Sequence, residues 1–221
     1  MPMQAIADQL WITRFPLRQA GCEIGRMVTV IRLASGELVI HSTAPFEPAQ
    51  VEALEALGRP RWLVEATLFH DTYVAEGRRA FPNLPYLAPP GFPDSFESTP
   101  LDPAPVEWGD ELEVYPLAGM PKVREHLLYH RPTGTLIVAD LFFNLVPDTW
   151  TRLFFRAVSG IREFPAMSRL FRLMIRDREA FGRSLEPVRA LPLERIIVAP
   201  GEPVLEDARA TLERVLARHG L

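Results

Sequence analysis

Residues 125–143, EHLLYHRPTGTLIVADLFF, constrain what this chain can fold into more than any other stretch. Leu127, Leu128 and Tyr129 lead into Pro132-Thr133-Gly134, and Thr135-Leu136-Ile137-Val138-Ala139 then runs almost wholly apolar into Asp140. The pattern predicts a hairpin that feeds a buried strand. A carboxylate at the end of such a strand is costly unless it is paired, hydrogen-bonded or held by a cation. Asp140 is therefore either a cap or loop tether, or one member of a metal site.

The rest of the chain supplies partners for that strand. Leu10-Trp11-Ile12, Met27 to Leu33, Glu37 to Ile40, Trp62 to Ala66, Tyr86 to Ala88, Leu112 to Leu117 and Arg195 to Ala199 carry β-type patterns, with Ser35-Gly36 turning the second into the third. Helical spacing predicts helices over Phe46–Leu57, with Val51, Leu54 and Leu57 on one face, over Val74–Ala80, and over Leu205–Leu216, with Ala208, Leu212, Val215 and Leu216 as the buried side. Strands joined partly by hairpins and partly by helices predict an α/β fold with a mixed sheet and helices packed on it. Residues 91–108, rich in proline, serine and acidic side chains, read as a surface excursion without internal order.

Residues 148–183 differ in composition. They hold eight arginines against four acidic residues, a net +4 in a chain of net −4. Met167, Leu170, Phe171, Met174 and Ile175 fall at helical spacing with Arg169, Arg172 and Arg176 largely off that stripe, which predicts an amphipathic helix. Pro165 separates it from an earlier helix through Trp150, Phe154, Val158 and Ile161. The basic face is either solvated, in contact with an anionic membrane surface, or closed over an anionic substrate.

Composition narrows the chemistry. At 221 residues the chain is long enough for one large α/β domain, here taken as 1–221 with 148–183 as an arginine-rich helical insertion. A net charge of −4 gives no global reason to expect nucleic acid as a partner. The single cysteine, Cys22, excludes an internal disulfide and a cysteine-only metal cage. The first residues show neither a long apolar run nor a basic leader, so a cytoplasmic location is expected. No glycine-rich phosphate loop and no G-x-S-x-G elbow is present. Oligomeric state and substrate stay open.

Three strand ends carry polar groups: His41-Ser42, His70-Asp71 and Asp140. Groups at the C-terminal ends of strands in one sheet can converge on one crevice. Imidazoles with carboxylates suit zinc, iron or manganese. The alternative for each histidine is an imidazole hydrogen-bonded to backbone. His126, His130 and His219 lie outside the cluster and receive no role.

Val39-Ile40-His41-Ser42, Leu68-Phe69-His70 leading to Phe81-Pro82, the run His130 to Asn144, and Ile197 to Pro203 together resemble an uncharacterised group within the metallo-β-lactamase superfamily. The resemblance implies an αββα sandwich, two mixed sheets flanked by helices, and in active members a metal hydrolase. It also implies losses. Where the superfamily carries His-x-His-x-Asp-His, this chain has Thr67-Leu68-Phe69-His70-Asp71-Thr72, so Asp71 keeps the aspartate while Thr67, Phe69 and Thr72 stand for histidines. Met120 and Pro200 stand where two further histidines are expected, and Asp140 matches a metal ligand.

Two functions follow as expectations. One is a metal-dependent hydrolase with an incomplete site, in which Asp140, His70 and Asp71 hold one zinc or iron ion and His41 ligates or orients. The other is a catalytically inactive member, without a metal, that binds a small molecule, a protein or a membrane surface.

Overall fold

The computed structural model of the chain describes residues 3–19, 22–93, 97–145, 164–199 and 201–221. Its first half builds β1 (Gln4–Ala7), β2 (Leu10–Phe15), a small hairpin of β3 (Arg18–Gln19) and β4 (Cys22–Glu23), β5 (Arg26–Arg32), β6 (Glu37–His41), α1 (Pro48–Leu57), β7 (Arg59–Val64), α2 (Val74–Ala80), β8 (Tyr86–Ala88) and β9 (Thr99–Pro100). The second half adds β10 (Leu112–Pro116), β11 (His126–His130), β12 (Thr135–Val138), α3 (Arg169–Met174), α4 (Arg178–Ala190), β13 (Arg195–Val198) and α5 (Ala208–Ala217). Among the described residues these form one sheet in the order β1-β2-β5-β6-β7-β8-β9 and another in the order β10-β11-β12-β13. Both are mixed: β5 meets β6 antiparallel and β6 meets β7 parallel, while β11 meets β12 antiparallel and β12 meets β13 parallel. The expected hairpin at 125–143 is therefore present, with Gly134 closing its turn at φ +58°.

Alternation along each strand sorts the core into layers, because successive side chains leave a strand on opposite faces. Ile31, Val39, Trp62 and Val64 of the large sheet meet Leu128, Ile137 and Ile197 of the small one, forming the layer between sheets. Their neighbours Val30, Leu38, Ile40 and Leu63 face the other way, against Leu54 of α1 and Val74 of α2. On the far side, Leu127, Tyr129, Leu136, Val138 and Ile196 pack on Phe171 of α3, Phe181, Leu185 and Val188 of α4, and Leu212, Val215 and Leu216 of α5. The result is helix, sheet, sheet, helix, the αββα arrangement expected from the sequence. Strands covered on both faces explain why β6 and β12 read as continuous apolar runs.

One expectation is corrected. Residues 91–108 are not a structureless excursion: β9 pairs in parallel with β8, Leu101 and Trp108 have no exposed surface, and Trp108 meets Trp62 edge to face with centroids 6.0 Å apart. Two large apolar side chains, Leu101 and Trp108, outweighed composition. The basic stripe forms a helix, α3, over Arg169–Met174, much as its spacing predicts, and a further helix follows it. Ile175 ends α3 in an extended conformation, and Asp177 starts α4 by accepting a hydrogen bond from the Ala180 amide. Met167, Phe171 and Ile175 are buried as expected, whereas Leu170 is exposed. The earlier helix read through Trp150 to Ile161 lies outside the described residues.

Gly119 fixes how α4 docks on the small sheet. Its φ is +75°, its carbonyl accepts from the Arg176 and Asp177 amides, and a Cβ there would come within 2.1 Å of the Asp177 carbonyl oxygen. Alanine would have to displace backbone while holding a left-handed conformation, so Gly119→Ala is expected to destabilise by roughly 2 kcal/mol or more.

His130 supplies a pH-dependent test of the small sheet. It is fully buried at the end of β11, its Nδ1 is 2.8 Å from Thr133 Oγ1, and burial pushes its pKa down to about 4. The ring is neutral in the fold and titrates near 6.5 when unfolded, so its stabilising share is complete above pH 6.5 and is lost as pH falls toward 4. That difference is worth roughly 3 kcal/mol. Urea melts at pH 7 and pH 4.5 should show a smaller acid loss in His130→Gln than in the parent.

Candidate functional site

The polar groups singled out in the sequence lie where β6 and β7 of the large sheet and β12 of the small one end. His41 is the last residue of β6, and its neighbour Ser42 turns the chain with φ +68°, a left-handed conformation that non-glycine residues adopt at some cost. The Ser42 amide donates to the Val64 carbonyl at 2.9 Å, which ties the exit of β6 to the exit of β7. Glu65 and Thr67 follow β7, then Phe69 and His70. Asp140 stands two residues beyond β12, its amide held with that of Ala139 on Glu125 Oε1 at 3.1 and 2.9 Å.

At the centre is a residue pair on which the sequence reading placed no weight. Arg26, the first residue of β5, and Glu65 are 2% and 0% exposed. The Arg26 terminal nitrogen Nη2 lies 3.0 Å from each Glu65 oxygen and donates to the His70 carbonyl at 3.1 Å, while Nε donates to the Thr43 carbonyl at 3.2 Å. Glu65 Oε1 also accepts from the Thr43 amide at 2.7 Å, from the Thr43 hydroxyl at 2.6 Å and from the Tyr86 hydroxyl at 3.2 Å. Two buried ions survive out of water only when paired and hydrogen-bonded to this extent. Packing holds the arrangement as well: a Cβ on Gly77 of α2 would lie 2.6 Å from Thr43 Cβ, so only glycine lets the helix rest there.

His70 and Asp140 come together beside this pair. His70 Nε2 is 3.6 Å from Asp140 Oδ1, and on the other edge of the ring Nδ1 is 3.2 Å from the Ser42 hydroxyl and 3.7 Å from Glu65 Oε2. Burial pushes the Asp140 carboxyl up, but His70, Thr67 and Arg26 together hold its pKa below the usual carboxylate range. Its neighbour Glu125 moves the opposite way: burial, then the Asp140 charge, push it up to about 8, and its second oxygen has no hydrogen-bond partner among the described residues. His41 has no exposed surface, neither ring nitrogen has a hydrogen-bond partner among the described residues, and burial followed by the charges of His70 and Arg26 lowers its pKa well below the ordinary histidine value. Asp71 is solvent-exposed.

The order Ser42, His70, Asp140 has the outline of a nucleophile, base and orienting carboxylate. Ser42, however, is wholly buried. A hydroxyl without exposed surface cannot meet a substrate, so its bond to Nδ1 positions the imidazole.

Among the described residues the donor set falls short of a metal centre. A catalytic ion needs about three protein ligands on one side of an open position. Glu65 and Asp140 flank opposite nitrogens of the same imidazole, so they cannot join His70 around one ion. Glu65 is already neutralised by Arg26, Asp71 faces solvent, Phe69 has no donor, and Met120 is buried in the core of the small sheet. Among the described residues no three His, Cys, Asp or Glu side chains are placed to hold a metal ion.

Arg26 and Glu65 were open to detection, because each is a charge inside an otherwise apolar strand run: Arg26 before Met27-Val28-Thr29-Val30-Ile31, and Glu65 within Trp62-Leu63-Val64-Glu65-Ala66. Opposite charges in such positions signal a buried pair.

No protein-family model matches the chain, and no curated protein sequence does. Solved structures match over nearly its whole length. A metallo-β-lactamase from Erythrobacter litoralis shares 15% identity over 97% of this chain and 94% of its own, with a TM-score of 0.66. One from Pontibacter korlensis shares 12% over 98% of each chain, with a TM-score of 0.61. The FIM-1 enzyme of Pseudomonas aeruginosa, described in a mono-zinc form, shares 12% over 99% of this chain and 95% of its own, with a TM-score of 0.63. At such identity the likeness is one of fold.

Glu125 gives a test of the electrostatics. A carboxyl whose folded pKa is raised from 4.5 to about 8 stabilises fully below pH 4.5 and loses that share as pH rises toward 8. Glu125→Gln keeps the oxygen that accepts the Ala139 and Asp140 amides. The variant is expected to gain stability relative to the parent between pH 5 and pH 8 in urea melts at successive pH values, and a constant difference across that range would show that Glu125 is ionised throughout.

Proposed function

We propose that this chain uses the metallo-β-lactamase fold as a metal-independent binding protein, and that its sheet edge is held by a fixed internal cation. The observation that carries the reading is the placement of Arg26. Its guanidinium, charged at any pH a protein meets, bonds both oxygens of Glu65 and the carbonyls of Thr43 and His70. The carboxylate that would otherwise help attract an ion is thereby neutralised, and His70 with Asp140 is left one ligand short of a hydrolytic centre.

A groove beside this edge supports the reading. The segment after Thr43 leads into an open groove of about 590 Å³ between α1 and α2, floored by Phe46 and Val51 and bordered by Glu47, Glu52, Glu76 and Arg79. That volume is within the range of small-molecule sites. Three carboxylates against one guanidinium favour a neutral or cationic ligand over an anionic one. The competing reading, a one-metal hydrolase built on Asp140, His70, Asp71 and His41, depends on zinc or iron binding that the arrangement of donors does not favour.

Metal loading separates the two. Purified protein incubated with excess zinc and then desalted is expected to retain far less than one ion per chain, and neither zinc nor a chelator should shift its melting temperature. A ligand at a hundred times its Kd would stabilise the fold by about 2.7 kcal/mol, well within reach of calorimetry. One zinc or iron per chain, lost in Asp140→Ala, would establish the metal reading instead. Arg26→Ala leaves Glu65 buried without its partner and is expected to destabilise by about 3–5 kcal/mol, measured by urea denaturation.

A further inference from the structure

We infer that α3 and the segment joining it to α4 form a docking face for an anionic membrane surface, with Leu170 and Leu173 entering the interface and Arg169, Arg172 and Arg176 meeting lipid headgroups. Leu170 and Leu173 are 66% and 70% exposed, on a helix whose opposite side is anchored in the core by buried Phe171. Residues three apart share a helix face. The two leucines thus project together, away from the body of the protein.

The charges complete the face. Arg169, Arg172 and Arg176 are all exposed. Among the described residues no ion pair engages them; the one side-chain contact is between Arg172 and His219, with nitrogens 3.4 Å apart. The two acidic residues between 164 and 183 are otherwise engaged: Asp177 caps α4 through the Ala180 amide, and Glu179 pairs with Arg183. Over residues 164–183 five arginines face two acidic residues. The chain as a whole is net negative, but fields from exposed charges fade over about 8 Å at physiological ionic strength, so the local excess decides what this face attracts. Arginine suits the position because its stem can lie along apolar surface while the guanidinium reaches phosphate oxygens. Two leucines and three arginines make a weak, reversible anchor, comparable to a single acyl chain. No helix of the described residues is long and apolar enough to cross a membrane, so contact would be with the surface.

Co-sedimentation of the full chain with vesicles tests this. Vesicles of phosphatidylserine and phosphatidylcholine should pellet the protein at low salt, phosphatidylcholine alone should not, and about 0.5 M salt should release it. Arg169→Ala with Arg176→Ala should weaken binding about 25-fold, near fivefold for each charge. Leu170→Ala with Leu173→Ala should weaken it about tenfold or more. Arg18→Ala with Arg124→Ala, an equal loss of charge elsewhere, should leave binding unchanged. All six positions are exposed, so unaltered thermal melts will show that each variant folds. The inference is overturned if the parent fails to pellet with anionic vesicles at low salt, if neither α3 variant loses binding, or if the Arg18/Arg124 control loses as much. It is equally overturned if sedimentation velocity shows a dimer that the leucine variant abolishes while vesicles are ignored, since the face would then belong to a second copy of the chain.

Discussion

The ion pair between Arg26 and Glu65 is the interaction on which the arrangement of the sheet edge depends. It joins the first residue of β5 to the exit of β7, and through the carbonyls of Thr43 and His70 it reaches the exit of β6 and the loop beyond. Burying two charges costs several kcal/mol each before any attraction is counted. Here that penalty is offset by a carboxylate whose oxygens both meet the guanidinium and by three further donors from Thr43 and Tyr86. A cation is therefore built into the chain, and the positions of His70 and Asp140 follow from it. The tightly bonded Glu65 lies at one edge of the His70 ring, which leaves Asp140 to approach from the other.

Most of the fold's apolar packing lies away from this edge. The apolar layer between the sheets and the two helix-covered faces engage strand residues along their lengths, whereas the edge residues occupy only strand ends. Full-length likeness to metallo-β-lactamases at 12–15% identity fits this division. Such likeness speaks for architecture, and the chemistry must be read from the side chains present.

Much of that architecture was legible in the sequence. The hairpin before Asp140, the β5–β6 pair and the buried side of α5 follow from hydrophobic period alone, since each is long and its pattern is unbroken. The stretch from 91 to 108 was not, because Leu101 and Trp108 are isolated apolar residues with no period to reveal them. The helix α4 was not read, because Pro187 stands inside it and its buried side is only Phe181, Leu185 and Val188. At the site, His70 and Asp140 were singled out from the sequence, and they stand side by side. Their true companion was not singled out, since Arg26 and Glu65 are 39 residues apart with no local motif to link them. Only the energetic oddity of a charge in each of two apolar runs marks them.

The most direct measurement is a crystal structure from zinc-saturated protein, with anomalous diffraction recorded at the zinc edge. The Arg26 guanidinium should be found between Glu65, Thr43 and His70, with no anomalous peak beside His70 Nε2 and Asp140. A peak at ligand distance from those two groups, accompanied by Arg26 turned away from Glu65, would contradict the assignment of the internal cation.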